Sequence, residues 1–206
     1  MNAALERLLR STPLLWRGAV RRDSALATVA TGFASLDAAL PGGGWPRRGV
    51  MEIVVPAWGM GELRLLVPLM LTVQRQGGWL VWVMPPYVPY APALAGLGLD
   101  LGRVLLVEPK RDREVLWSME KALRAAGTGM VLAWPPQPGH SQMRRLQLAA
   151  EAGNSVGVVF ATRDRGPSPA PLRLQLGPLK EGLRVRLLKA RGGYARDDIA
   201  LHWPAQ

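Results

Sequence analysis

The sequence contains no cysteine. That excludes thiolate chemistry, iron–sulfur clusters and any disulfide framework. Histidine is nearly absent too: His140 and His202 are the only two, so a histidine-rich metal site is excluded and no metal is expected. Phenylalanine is down to two residues while tryptophan reaches eight. Lysine supplies only four of the 26 basic residues. No apolar run is long enough to span a bilayer, so no membrane segment is expected. Met1 to Arg10 carries charge without the long apolar stretch of a signal peptide, which makes the cytoplasm the expected compartment. There is no internal repeat and no low-complexity tract.

What remains is a chain of 206 residues, 49% hydrophobic and 20% charged. It is long enough to bury a core without a disulfide or metal staple. The net charge is +11, carried mostly by arginine. The arginine guanidinium is a planar fork suited to phosphates and carboxylates. The surplus fits a solubilising surface in a GC-biased genome. It equally fits a nucleic-acid surface or an acidic protein partner, and composition leaves both open.

Ala3 to Arg10 reads as a short helix with Leu5, Leu8 and Leu9 on one face, ended by Pro13. A helix this short is marginal alone and needs a surface, its own core or a partner. Leu14 to Thr28 is poorly patterned and arginine-rich, a linker or arm that includes Trp16. From Gly32 onward, short apolar runs alternate with helical ones. Strands are expected over Val50–Val55, Trp79–Met84, Arg103–Val107, Gly129–Trp134 and Val156–Ala161. Long helices are expected over Glu62–Gln76, Arg113–Ala126 and Ser141–Ala152, with Pro68 inside the first. Apolar strands separated by crossovers predict an α/β fold with a parallel sheet covered on both faces. Leu172–Leu176 and Leu183–Ala190 alternate instead, predicting an antiparallel hairpin with one wet face, joined by a turn over Gly177–Gly182.

The turn after the first strand is where such folds hold phosphate. A P-loop requires G-x-x-x-x-G-K-[ST]. Here Pro56 takes the first glycine position, Gly59 and Gly61 follow, Glu62 replaces the lysine and Leu63 the magnesium-binding hydroxyl. A glutamate at the helix N-terminus satisfies the dipole and repels triphosphate. The loop is P-loop-like in position and disabled in chemistry, or an ordinary turn. In both cases no ATP hydrolysis, no catalytic residue and no cofactor are expected. No acidic magnesium ligand stands at the strand ends near Trp134 or Met84. His140, Ser141 and Asp164 lack a nucleophile-elbow frame. There is no G-x-G-x-x-G fingerprint. Beyond the strand ends, Arg144, Arg145, Arg163 and Arg165 are the candidates for contact with a phosphate backbone. Any exposed tryptophan would be an interface anchor.

The segment from Ala30-Thr31-Gly32-Phe33 through Leu36-Asp37 to Pro41-Gly42-Gly43-Gly44 resembles the lead-in of the RecA-like recombinase core. With Gly59-Met60-Gly61-Glu62-Leu63 it is similar to the ImuA family, RecA-like proteins of translesion DNA synthesis that lack the ATPase lysine. The resemblance runs from about Ala30 to Ala190. It implies a RecA-like three-layer core over 30–206, preceded by an N-terminal helix and arm over 1–29. It implies a non-enzymatic accessory role in SOS-induced, error-prone translesion synthesis. The partners it implies are an ImuB-like inactive Y-family polymerase homologue and an error-prone replicative-type DNA polymerase. The alternative is a RecA-like regulator or inhibitor of recombination or cell division. The recombinase DNA loops map onto Pro135–Ser141 and Arg163–Pro171, the latter shorter and without glycine and asparagine richness. DNA contact is then expected to be weak and non-specific. Leu5, Leu8, Leu9 and Trp16 are the expected contacts for a partner or for self-association.

Overall fold

The structure is a computed structural model of the chain and describes residues 28–136, 138–191 and 195–203. The expected N-terminal helix, with Leu5, Leu8, Leu9 and Trp16, lies outside the described residues.

An eight-stranded mixed sheet forms the centre. Its strands are β3 (Gly49–Val54), β4 (Trp79–Val83), β5 (Val104–Val107), β6 (Thr128–Ala133), β7 (Val156–Ala161), β8 (Leu172–Leu179), β9 (Gly182–Ala190) and β10 (Arg196–His202). The order across the sheet is β10-β9-β8-β3-β7-β6-β4-β5. β8, β3, β7, β6, β4 and β5 run parallel, while β9 and β10 pair antiparallel. A small ribbon joins β1 (Thr28–Val29) to β2 (Trp45–Pro46).

The central parallel strands lack polar alternation because both their faces are covered. Met51, Ile53, Leu80, Trp82, Met130, Leu132, Val158 and Phe160 feed one core. That core is closed by α1 (Ala34–Ala39), α2 (Glu62–Arg75) and α3 (Ala91–Gly96). Val50, Val81, Val83, Val131 and Val159 feed the other, closed by α4 (Asp112–Arg124) and α5 (His140–Gly153). The four central strands β3, β7, β6 and β4 thus alternate between two cores rather than between core and water. In α2 the residues at helical spacing, Leu66, Leu69, Met70 and Val73, are all buried, and the helix runs on through Pro68.

Two details of the tail differ from expectation. The hairpin turn shrinks to Lys180–Glu181, because β8 continues through Gly177-Pro178-Leu179. Pro178 fits there since β3 pairs only as far as Gln175, so no ladder bond is demanded on that side. A third strand, β10, then covers β9. No strand is expected there from the sequence; β10 opens with Arg-Asp-Asp, and edge strands tolerate such charge and irregularity. Asp198 takes a positive φ of 64°, beside a register shift between Arg196 and Ile199.

Candidate functional site

Two structures stand at the carboxyl end of the sheet, where open α/β folds bind ligands. The first is the loop between β3 and α2. Gly61 adopts φ 113°, and the chain then turns directly into the helix at Glu62. The Glu62 side chain folds back into the loop. Its Oε1 accepts the Gly59 N–H at 2.9 Å and its Oε2 accepts the Gly61 N–H at 3.1 Å. Glu62 is only 5% exposed. Backbone donors of the kind that cradle phosphate in a P-loop are here engaged by the protein's own carboxylate. Leu63 and Met60 pack against the core. Trp203, just beyond β10, closes the loop from outside: a Cβ on Gly61 would lie 2.6 Å from its Cζ2. The indole is held edge-on by Phe33 at 5.9 Å, and the Arg64 guanidinium lies 4.7 Å from its ring centroid.

The second is a cleft of about 440 Å³ beyond the ends of β4, β6 and β7. Met84 to Pro86, Trp134 to Pro136, and Thr162 to Pro169 without Asp164 contribute to its lining. The Pro135–Ser141 and Arg163–Pro169 segments, distant in sequence, therefore meet in one cleft. Arg163 and Arg165 line it, as does His140 at the start of α5. Arg144 and Arg145 do not. They sit further along α5, where Arg145 bonds Glu120 of α4 at 2.5 Å, and Arg124 approaches the same carboxylate at 3.8 Å.

Two carboxylates line the cleft as well, Asp112 and Glu52, and Glu52 belongs to an ionic cluster not foreseen from the sequence. Glu52 of β3 and Arg173 of β8 are register partners. Arg173 Nε donates to Glu52 Oε2 at 3.0 Å, and its Nη2 reaches Asp164 Oδ1 at 2.6 Å. Glu52 and Arg173 are both buried. Asp164 also accepts the Gly166 N–H at 2.9 Å. The hydrogen bond from Arg173, then that from Gly166, holds the Asp164 carboxyl below its ordinary range. Burial opposes the charge of Arg173, but its bonds to Glu52 and Asp164 outweigh this and hold it above its usual value. The cluster ties the Arg163–Pro169 loop to the sheet, helped by Lys189 Nζ donating to the Ser168 carbonyl at 2.7 Å. The one signal in the sequence was Glu52, a carboxylate inside an otherwise apolar strand.

The tryptophans divide as expected between core and surface. Trp45, Trp82 and Trp134 are buried, while Trp79 and Trp117 are exposed. Trp134 stacks on Phe160 with centroids 4.7 Å apart and planes at 16°, and Trp58 meets Phe160 edge-on at 6.5 Å. Among the described residues no group of three or more His, Asp or Glu is placed to hold a metal ion. Among the same residues no helix is long and apolar enough to cross a membrane.

Residues 50–157 match the family model described as cell division inhibitor SulA. Protein ImuA of Caulobacter vibrioides (strain NA1000 / CB15N) is 31% identical over 180 residues, covering 84% of this chain and 73% of the relative. The chain belongs to the SulA/ImuA family. The SulA of Edwardsiella piscicida is 29% identical over 100 residues, which span 48% of this chain and 60% of that one. The SulA of Yersinia pestis (strain Pestoides F) is 32% identical over 97 residues, 47% and 58% of the two chains. A crystal structure of SulA from Pseudomonas aeruginosa superposes with a TM-score of 0.46 at 23% identity, over 54% of this chain and 96% of that one. The segment matched by the SulA model contains the closed loop and the Met84 and Pro135 walls of the cleft. It stops before the Arg163–Pro169 loop and the antiparallel tail.

Proposed function

We propose that this chain is a non-catalytic accessory protein that works through contacts with other proteins. The observation that carries this reading is the Glu62 carboxylate, bound to the Gly59 and Gly61 N–H groups. A nucleotide phosphate entering there would have to displace a covalently tethered anion and then face it without a lysine. ATP is neither bound tightly nor hydrolysed, and no cofactor is used. Direct DNA contact is weak and non-specific, carried by Arg163 and Arg165 at the cleft and by Arg144 and Arg145 on α5. It weakens as salt rises, because phosphate contacts release counterions.

Two roles follow from the family, each favoured by its own observation. The SulA match over residues 50–157 favours a regulator or inhibitor of cell division. The longer alignment with ImuA, over 180 residues, favours an accessory in SOS-induced translesion synthesis. In that role the partners are an ImuB-like inactive polymerase homologue and an error-prone replicative-type polymerase, engaged in part through Leu5, Leu8, Leu9 and Trp16.

One experiment separates the roles. The chain is expressed in bacteria lacking their own ImuA and SulA. A division inhibitor produces filamentous cells without DNA damage and leaves mutation frequency unchanged. A translesion accessory restores damage-induced mutagenesis and leaves cell length normal, and loses that effect when residues 1–29 are removed. ATP turnover by the purified chain contradicts both.

A further inference from the structure

Among the described residues, the segment Met84-Pro85-Pro86-Tyr87-Val88-Pro89-Tyr90 carries the densest run of exposed large apolar side chains. Tyr87 is 69% exposed, Val88 85% and Tyr90 72%. None of the three belongs to either core. Isolated exposed apolar residues are ordinary, but three within four positions mark an interaction surface.

The loop is held at both ends. Met84 donates its N–H to the Val107 carbonyl at 2.9 Å and takes a positive φ of 55°. That conformation is uncommon for a non-glycine residue and is often kept at functional positions. At the far end the Tyr90 carbonyl accepts the N–H groups of Ala93 and Leu94, at 3.1 and 3.2 Å, and opens α3. In between, each proline fixes its own φ and restricts the residue before it. A loop so constrained loses little conformational entropy when a partner lands on it.

Met84, Pro85 and Pro86 also line the cleft that contains Arg163. We propose that the loop and the cleft together dock an extended acidic segment of a protein partner. Tyr87, Val88 and Tyr90 are its apolar anchors, and Arg163 receives a carboxylate. This deepens the protein-contact reading above and rests on it. Charge chooses the occupant: a chain of net charge +11 repels a second copy of itself and attracts an acidic partner. Nucleic acid fits less well. In the floor of the cleft, Trp134 and Phe160 are buried and stacked on each other and offer no free face to a base. Val88, the most exposed of the three anchors, has no ring face for a base.

The test selects random peptides of about twelve residues on the full chain and measures binding of the enriched ones by fluorescence anisotropy. They are expected to be rich in Asp and Glu around one or two large apolar residues. The triple variant Tyr87→Ser, Val88→Ser, Tyr90→Ser is expected to weaken them by about tenfold or more. Arg163→Glu is expected to weaken them several-fold, more so at low salt. The thermal midpoint of both variants is expected to match that of the parent, since the altered side chains are exposed. Failure to enrich any peptide, enrichment of neutral or basic ones, or unchanged affinity in the triple variant overturns the proposal. So does an oligothymidylate of about fifteen nucleotides that binds more tightly than the peptides and is lost with the same variant. ATP turnover would instead remove the non-catalytic reading, whatever the peptides do.

Discussion

The loop after β3 and the cleft beyond β4, β6 and β7 occupy the same end of the same sheet, yet they are built in opposite ways. The loop is closed: Glu62 fills it from within and Trp203 covers it from outside. The cleft is open, with Arg163 and the Met84–Tyr90 loop at its edges. In the loop, groups suited to binding an anion serve internal cohesion. In the cleft, an internal ionic cluster holds a surface loop in place so that Arg163 remains exposed. The difference teaches that position in an α/β fold does not by itself make a binding site. What decides is whether the local donors are already satisfied by the chain.

Removing the cluster gives the largest expected effect. Arg173→Met leaves Glu52 buried without its partner and releases Asp164. A loss of about 3–5 kcal/mol is expected for an uncompensated buried charge. Denaturant midpoints measure it, and the double variant Glu52→Leu, Arg173→Met is expected to recover a good part.

Opening the closed loop has a smaller effect. Glu62→Ala leaves the Gly59 and Gly61 N–H groups without their acceptor, at a cost of about 1–3 kcal/mol. If stability is instead unchanged, the carboxylate contributes nothing and the loop is an ordinary turn.

Gly61→Ala is smaller again. The new Cβ has to adopt the backbone of φ 113° and push the Trp203 ring aside. A loss of about 1–2 kcal/mol is expected, together with a shift in tryptophan emission as Trp203 moves.

The smallest effect is on pH dependence. The carboxyl of Asp164 titrates below its ordinary range in the folded chain. Its contribution to stability is therefore fully present above about pH 4 and is lost as pH falls through the lower folded value. The stability gap between the parent and Asp164→Asn is expected to be constant near neutrality and to close below that point. A gap that widens in acid would show that Asp164 is not held by Arg173 as described.

Much of the fold was legible in the sequence because its central strands are apolar on both faces and its long helices are amphipathic. Val156–Ala161 agrees to the residue with the expected strand. The edge was harder to read. β10 opens with Arg-Asp-Asp and contains a register shift, so neither alternation nor composition marks it as a strand. The position of the closed loop and its glutamate in place of a lysine were legible, but its closure was not. Nothing in Gly-Met-Gly-Glu says that the carboxylate turns back on its own donors, or that a tryptophan about 140 residues later lands on the second glycine. The Glu52–Arg173–Asp164 cluster joins three separate segments and depends on the register between β3 and β8. The end of the strand before the proline-rich loop was readable. That Tyr87, Val88 and Tyr90 point to water became visible only once both cores were filled without them.

The most direct test of the account is calorimetric titration of the full chain with ATP and magnesium, with phosphate release followed in parallel. No measurable heat of binding at micromolar nucleotide and no turnover are expected, in the parent and in Glu62→Ala alike, since the lysine is missing in both. Micromolar affinity in the parent, or turnover that disappears when Glu62 is changed, would contradict it.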